Sequence, residues 1–183
     1  KKNSVDYYTY PTNNTPTSAS QNSYIKIIFC NSYLVGSDGG LITGDRVNLG
    51  NFTAGTSLEF VLIQDGWDAA NKSVKTGNVK YFGDKNLNPE NDPELKKHTV
   101  LLSYPPENLF VLGIEDLNRE NQNSGCDHDF NDALFFAEST TQGAISTTGV
   151  ALLDTPKDTD KDGVSDQFDE YPTDPTKAYN NYF

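Results

Sequence analysis

The chain has 183 residues, with 14 Lys and Arg against 26 Asp and Glu, a formal net charge of −12. That length suits one domain of ordinary size with a short appendage, and a 35% hydrophobic share with 11% aromatic is too apolar for a wholly disordered chain. Such acidity excludes general binding to a nucleic-acid backbone, and no apolar run is long enough for a membrane-spanning helix.

Residues 1–23 are rich in Asn, Thr, Ser and Tyr and lack an apolar period. They are expected to form a polar, solvated N-terminal arm, either a partly ordered linker or a segment extended along a sheet. From Tyr24 to Leu153 short β-prone runs alternate with turn signals, so 24–153 is expected to be a β-sandwich. The predicted strands are Tyr24–Phe29, Tyr33–Val35, Arg46–Leu49, Ser57–Ile63, Asn78–Phe82, His98–Leu102, Leu109–Ile114, Ala133–Glu138 and Gly149–Leu153. Between them stand Ser37-Asp38-Gly39-Gly40, Asp65-Gly66, Gly83-Asp84 and Pro105-Pro106, which suit tight turns. Ser57–Ile63 begins with alternation and ends as an apolar run, as an interior strand does. Asp92 to Lys97 supports one helical turn at most. Trp67 reads as a core plug or loop anchor, with a sugar-stacking platform as its functional alternative. The fold class expected is all-β, a jelly-roll-like antiparallel β-sandwich with an irregular C-terminal extension over 154–183.

The charge is concentrated. Glu115 to Asp132 holds six acids and one Arg, and Asp154 to Phe183 holds eight acids and three Lys, a net of −5 in each. Such crowding is destabilising unless a cation relieves it. In the first window Glu115 and Asp116 end an apolar strand, and Asp127, Asp129, Asn131 and Asp132 open the next. If those strands pair, two sets of hard oxygens converge at one end of the sheet. Calcium takes six to eight such oxygens in irregular geometry. Strand alternation would put Asp127, Asp129 and Asn131 on one face and send Phe130 into the core. Asp132 is then either a cap on loop amides or a ligand reached by a curled backbone.

The pattern Gly113-Ile-Glu-Asp-Leu, a variable loop, then Asp127-His-Asp-Phe-Asn-Asp-Ala-Leu-Phe-Phe136 resembles the DUF4114 domain of bacterial secreted and surface proteins. Phe52-Thr-Ala-Gly-Thr, Phe60-Val-Leu-Ile-Gln-Asp-Gly-Trp67, Leu87-Asn-Pro89 and His98-Thr-Val-Leu-Leu102 look like further signatures of that family, and the resemblance runs from about Ser32 to Ser139. Ile114 stands where the family usually has Phe, and the inter-motif loop is long and contains Cys126. The resemblance implies a calcium-associated β-sandwich in adhesin-like or cell-surface proteins, and no catalytic activity.

The second window has a sharper spacing. Asp158, Asp160 and Asp162 stand at positions 1, 3 and 5 of a twelve-residue calcium loop, Gly163 at the turn position, Val164 where a carbonyl binds, Asp166 at position 9 and Asp169 at position 12. Pro172 and Pro175 forbid a regular exit helix, which argues against an EF-hand. The stretch resembles a thrombospondin type 3-like calcium repeat. With the tail that follows, it is similar to the region preceding a further domain in LruC-type bacterial surface proteins.

Cys30 and Cys126 are expected to be one disulfide or two buried thiols, and a zinc site with His98 and His128 has unusual spacing. No phosphate-binding loop, dinucleotide fingerprint, nucleophile elbow or His-Glu-x-x-His is present. Glu115 with Asp132 could make a glycosidase pair, but a calcium loop explains both more simply. The Lys1-Lys2-Asn3 start and the stop after Tyr182-Phe183 read as cut ends of a longer, processed protein. The function expected is that of a calcium-binding, non-catalytic structural or adhesive module, extracellular or on the bacterial cell surface in association with the outer membrane. The alternative is a calcium-dependent carbohydrate-binding module. The expected cofactor is Ca²⁺. The expected partners are a surface glycan or another surface protein, with no nucleic acid and no membrane insertion by this segment.

Overall fold

A computed structural model of the chain describes residues 2–21, 24–121, 123–153 and 157–179. The first residue and last two residues of the predicted arm, the start of the predicted calcium-loop extension at 154–156 and its end at 180–183 lie outside them. The described residues are all-β apart from three short 3₁₀ turns. Ten strands are present: β1 Ser4–Pro11, β2 Lys26–Phe29, β3 Thr56–Ile63, β4 Trp67–Asp68, β5 Ser73–Val74, β6 Lys80–Phe82, β7 Thr99–Tyr104, β8 Leu109–Ile114, β9 Ala133–Glu138 and β10 Ala151–Leu152.

One sheet has the order β2-β1-β3-β6 and a second the order β10-β7-β8-β9, while β4 and β5 make a small hairpin. All pairings are antiparallel except β10 on β7. In the second sheet β7, β8 and β9 follow one another as a meander. The two sheets share a core. Val5, Leu62 and Tyr81 of the first meet Leu112, Ile114 and Ala133 of the second, and Phe29 stacks on Phe135 with ring centroids 5.6 Å apart. Burying such a side chain stabilises by about 1.5–3 kcal/mol.

The first sheet is covered on its other face as well. Tyr8, Val61 and Phe82 pack there with Tyr10, Ile25 and Leu87. This is why the apolar run Val61–Ile63 is buried continuously rather than at alternate positions. Asn88 fastens the covering loop, accepting from the Phe82 amide (2.7 Å) and donating to the Phe82 and Lys96 carbonyls.

Two sequence expectations are corrected. Ser4–Pro11, read as part of a solvated arm, is an interior strand registered residue for residue against Thr56–Ile63, with its first five residues buried. Polar residues conceal it because Asn3, Ser4 and Asp6 are themselves buried, and Ser4 and Asp6 are hydrogen-bonded to each other. Tyr33–Val35 and Arg46–Leu49 are not strands. Only a single bridge, Leu34 to Leu41, forms there, and Gly36, Gly44, Gly50 and Gly55 turn the exposed backbone through positive φ.

Candidate metal centre

The first acidic cluster is built where β8 ends and β9 begins. Ile114 pairs with Ala133, so the residues just beyond, Glu115 and Asp132, are held side by side. The β7–β8 ladder continues one step past its last pair, because the Glu115 amide donates to the His98 carbonyl (2.9 Å). His98 Nδ1 lies 2.9 Å from the Glu115 carbonyl and Nε2 2.9 Å from Glu90 Oε1. A carbonyl can only accept, so Nδ1 carries a proton. Tyr81 stacks on the imidazole at 3.9 Å. Glu90, His98 and Glu115 are each no more than 1% exposed.

Asp116 is fixed from three sides. Its amide donates to Asp132 Oδ2 (2.9 Å), its carbonyl accepts from Gln64 Nε2 (2.7 Å), and its carboxylate accepts from Asn3 Nδ2. Asn3 in turn accepts from the Asp65 amide. The strand that begins the chain therefore braces the cluster.

The Asp127–Asp132 segment is a curled loop, not a strand. His128 and Phe130 have φ of 63° and 60°, so the expected alternation of faces does not apply. Phe130 is half-buried outside the core, under the Arg119 guanidinium at 4.9 Å from its ring centre. Arg119 also donates to the carbonyls of Lys97 (2.7 Å) and Glu94 (3.2 Å) and to His128 Nδ1. Its charge is thus committed to loop carbonyls. Among the described residues no Lys or Arg pairs with Glu115, Asp127, Asp129 or Asp132. Gly113 permits the loop to approach, since a Cβ there would stand 2.6 Å from the Phe130 carbonyl oxygen.

The result is two overlapping triads. Glu115, Asp127 and Asp129 place ligand oxygens within 4.8 Å of one another, and so do Glu115, Asp116 and Asp132. Asn131 is turned to Asp129, donating to it through both its backbone and side-chain amides. Glu115 Oε1 accepts a long 3.3 Å bond from the Leu117 amide, while Oε2 is buried without a hydrogen-bond partner. Burial and the adjacent Asp132 charge push Glu115 up to about 7. The described residues of the inter-motif loop add no carboxylate to either triad, and its Glu120 instead accepts from the Asn91 amide (2.8 Å).

The second cluster lies in the C-terminal segment. Asp158, Asp160 and Asp162 bring oxygens within 4.8 Å of one another. Asp158 accepts from the Lys161 and Gly163 amides, Asp160 from the Asp162 amide and Asp162 from the Val164 amide. Gly163 supplies the turn at φ 97°. Asp169 is 8% exposed, with one oxygen on the Tyr171 amide. Asp160 Oδ2 and Asp169 Oδ2 are both buried without partners. Burial, then the charges of Asp162, Asp169 and Asp158, hold Asp160 above the usual carboxylate range. Asp166 is used differently. Thr159 and Lys157 take both its oxygens and lower it to about 2, so it stands outside the triad as a brace.

Residues 52–140 match the family model described as Domain of unknown function (DUF4114). The match begins at Phe52 rather than near Ser32. It takes in β3 through β9 and the whole 115–132 cluster, and it ends before the 158–169 loop. No curated protein and no solved structure matches the chain.

The matched segment also contains two residues that sequence reasoning missed, Glu90 and Gln64, along with a role for His98. Gln64 and His98 are polar residues at the ends of apolar runs and Glu90 lies in a polar loop, and only the fold brings them to the cluster or to its support. The cysteines are corrected: Cys30 is an exposed free thiol and Cys126 a half-buried one. Burial and the neighbouring Glu115 charge push the Cys126 thiol up to about 11. Trp67 is half-buried in the β4–β5 hairpin. It borders an open depression of about 460 Å³ with Phe29, Cys30, Asn31, Gly39 and Leu41.

Proposed function

We propose that the protein is a calcium-binding, non-catalytic structural or adhesive module of a secreted or cell-surface bacterial protein. Among the described residues five buried carboxylate oxygens lack a hydrogen-bond partner, and the observation that carries this reading is that three of them stand in the acidic clusters: Glu115 Oε2 in the core cluster, Asp160 Oδ2 and Asp169 Oδ2 in the C-terminal loop. Sealing an ionised oxygen from water without a partner costs several kcal/mol. Three such atoms, each beside further carboxylates, fit a hard dication that these residues would share. A bound calcium ion supplies positive charge and six to eight coordination positions for oxygen.

The residues that would hold it in the sandwich are Glu115, Asp116, Asp127, Asp129 and Asp132, with Asn131 orienting Asp129. In the extension they are Asp158, Asp160, Asp162 and Asp169, with the Val164 carbonyl at the position that binds through its backbone. The Asp-x-Asp-x-Asp-Gly spacing and the absence of an exit helix among the described residues support a thrombospondin type 3-like repeat rather than an EF-hand, and the order of the two parts supports an LruC-type surface context. His98, Asn3, Gln64 and Arg119 shape the core site before any ion arrives, so rigidity is the property the module offers its host.

Calorimetric titration of metal-free protein with CaCl₂ tests the proposal. Saturable binding with Kd of 10⁻³ M or tighter is expected, in line with extracellular calcium modules at about 10⁻⁴–10⁻³ M. Absence of binding at 10 mM calcium would remove the proposal. The depression beside Trp67 favours one second reading, a calcium-dependent carbohydrate-binding module. That reading requires glycan binding that EDTA abolishes.

A further inference from the structure

The five carboxylates of the core cluster do not converge on a point. Glu115, Asp127 and Asp129 form one group with oxygens mutually within 4.8 Å, Glu115, Asp116 and Asp132 form another, and no group contains all five. Oxygens bound to one calcium ion at about 2.3–2.6 Å can be no more than about 5 Å apart. Each triad fits a single ion by that criterion, and Glu115 is the residue that the two triads share.

Glu115 belongs to both groups. It is fully buried, and its Oε2 has no partner in the protein. A sealed carboxylate oxygen flanked by acids on two sides is placed to join two cations. The charge points the same way. One dication would leave three negative charges on five ionised carboxylates, whereas two leave one. Arg119, the nearest basic group of the loop, is spent on carbonyls and on the Phe130 ring.

We infer that the core cluster holds two calcium ions side by side, bridged by Glu115, an inference that rests on the calcium reading above. The two positions differ. Asp116, 2% exposed and tied to Asn3 and Gln64, makes the inner position the more buried of the two, with the exposed Asp132 on its solvent side. Asp127 and Asp129 are exposed, so the outer position keeps coordination sites open to water or to an oxygen-bearing ligand.

The test counts ions. In the full chain the C-terminal loop is silenced by Asp158→Asn, Asp160→Asn and Asp162→Asn, and native mass spectrometry is run in calcium. Two ions per chain are expected. Adding Asp127→Asn and Asp129→Asn is expected to leave one, and Glu115→Gln is expected to weaken both by tenfold or more. One ion with the five carboxylates intact would overturn the two-ion inference and leave the calcium reading standing, while none would overturn both the inference and the calcium reading of the core cluster. Crystals of the unaltered chain grown in calcium give an independent count. Two anomalous peaks about 4 Å apart on either side of Glu115 are expected, and a single peak there contradicts the inference.

Discussion

His128 and Phe130 hold the left-handed backbone conformation without being glycine, at a cost of about 1–3 kcal/mol each. Arg119 maintains it by bonding to His128 and covering Phe130, and Gly113 maintains it by leaving room for the Phe130 carbonyl. The spacing Asp127-x-Asp129-x-Asn131-Asp132 was legible as a cluster of oxygen-bearing side chains. The curl that distributes those residues was not, because it depends on Gly113 and Arg119, which are distant in the chain or look like ordinary loop residues.

Asp6 shows a second residue-scale effect. It is fully buried, its Oδ2 has no hydrogen-bond partner, and desolvation raises it to about 7 despite the Ser4 hydroxyl and the Lys80 charge, which both lower it. The folded state therefore holds the proton more tightly than the unfolded chain. The stability this contributes is complete below about pH 4 and is lost as pH rises through about 7. Asp6→Asn is expected to stabilise the fold by about 1–3 kcal/mol at pH 8 and to have little effect at pH 4. Urea denaturation at the two pH values checks this, and an equal change at both would contradict it.

At the scale of elements, legibility followed the apolar pattern. Leu109–Ile114 and Ala133–Glu138 were readable to the residue, because each is an apolar run bounded by polar turns. Ser4–Pro11 was not, because burial on both faces places Asn3, Ser4 and Asp6 inside, where composition alone indicates solvent. The strand nevertheless carries weight. Tyr8 is buried against Val61 and Phe82. Tyr8→Ala is expected to destabilise by about 3 kcal/mol, whereas a solvated arm would show no change. Chemical denaturation distinguishes the two. The same strand positions Asn3 on Asp116, so the fold and the candidate site share it.

At the scale of the molecule, two windows carry nearly all the net charge of −12, and each coincides with a group of converging carboxylates. Those windows were visible from composition and spacing, as was the all-β class. The bracing of the core cluster by Glu90, His98, Gln64 and Asn3 was not, since these residues come from different parts of the chain and meet only in the folded sandwich. Linkage turns the arrangement into a stability statement. A ligand that binds only the folded state adds about 1.4 kcal/mol per site at ten times its Kd, and in a chain of this size about 1 kcal/mol moves the melting temperature by roughly 2–4 °C.

The most direct measurement is the melting temperature of the full chain in saturating calcium and in EDTA at matched ionic strength. A rise of at least about 3 °C with calcium is expected, and Glu115→Gln is expected to reduce it. Identical melting in calcium and in chelator would contradict the account.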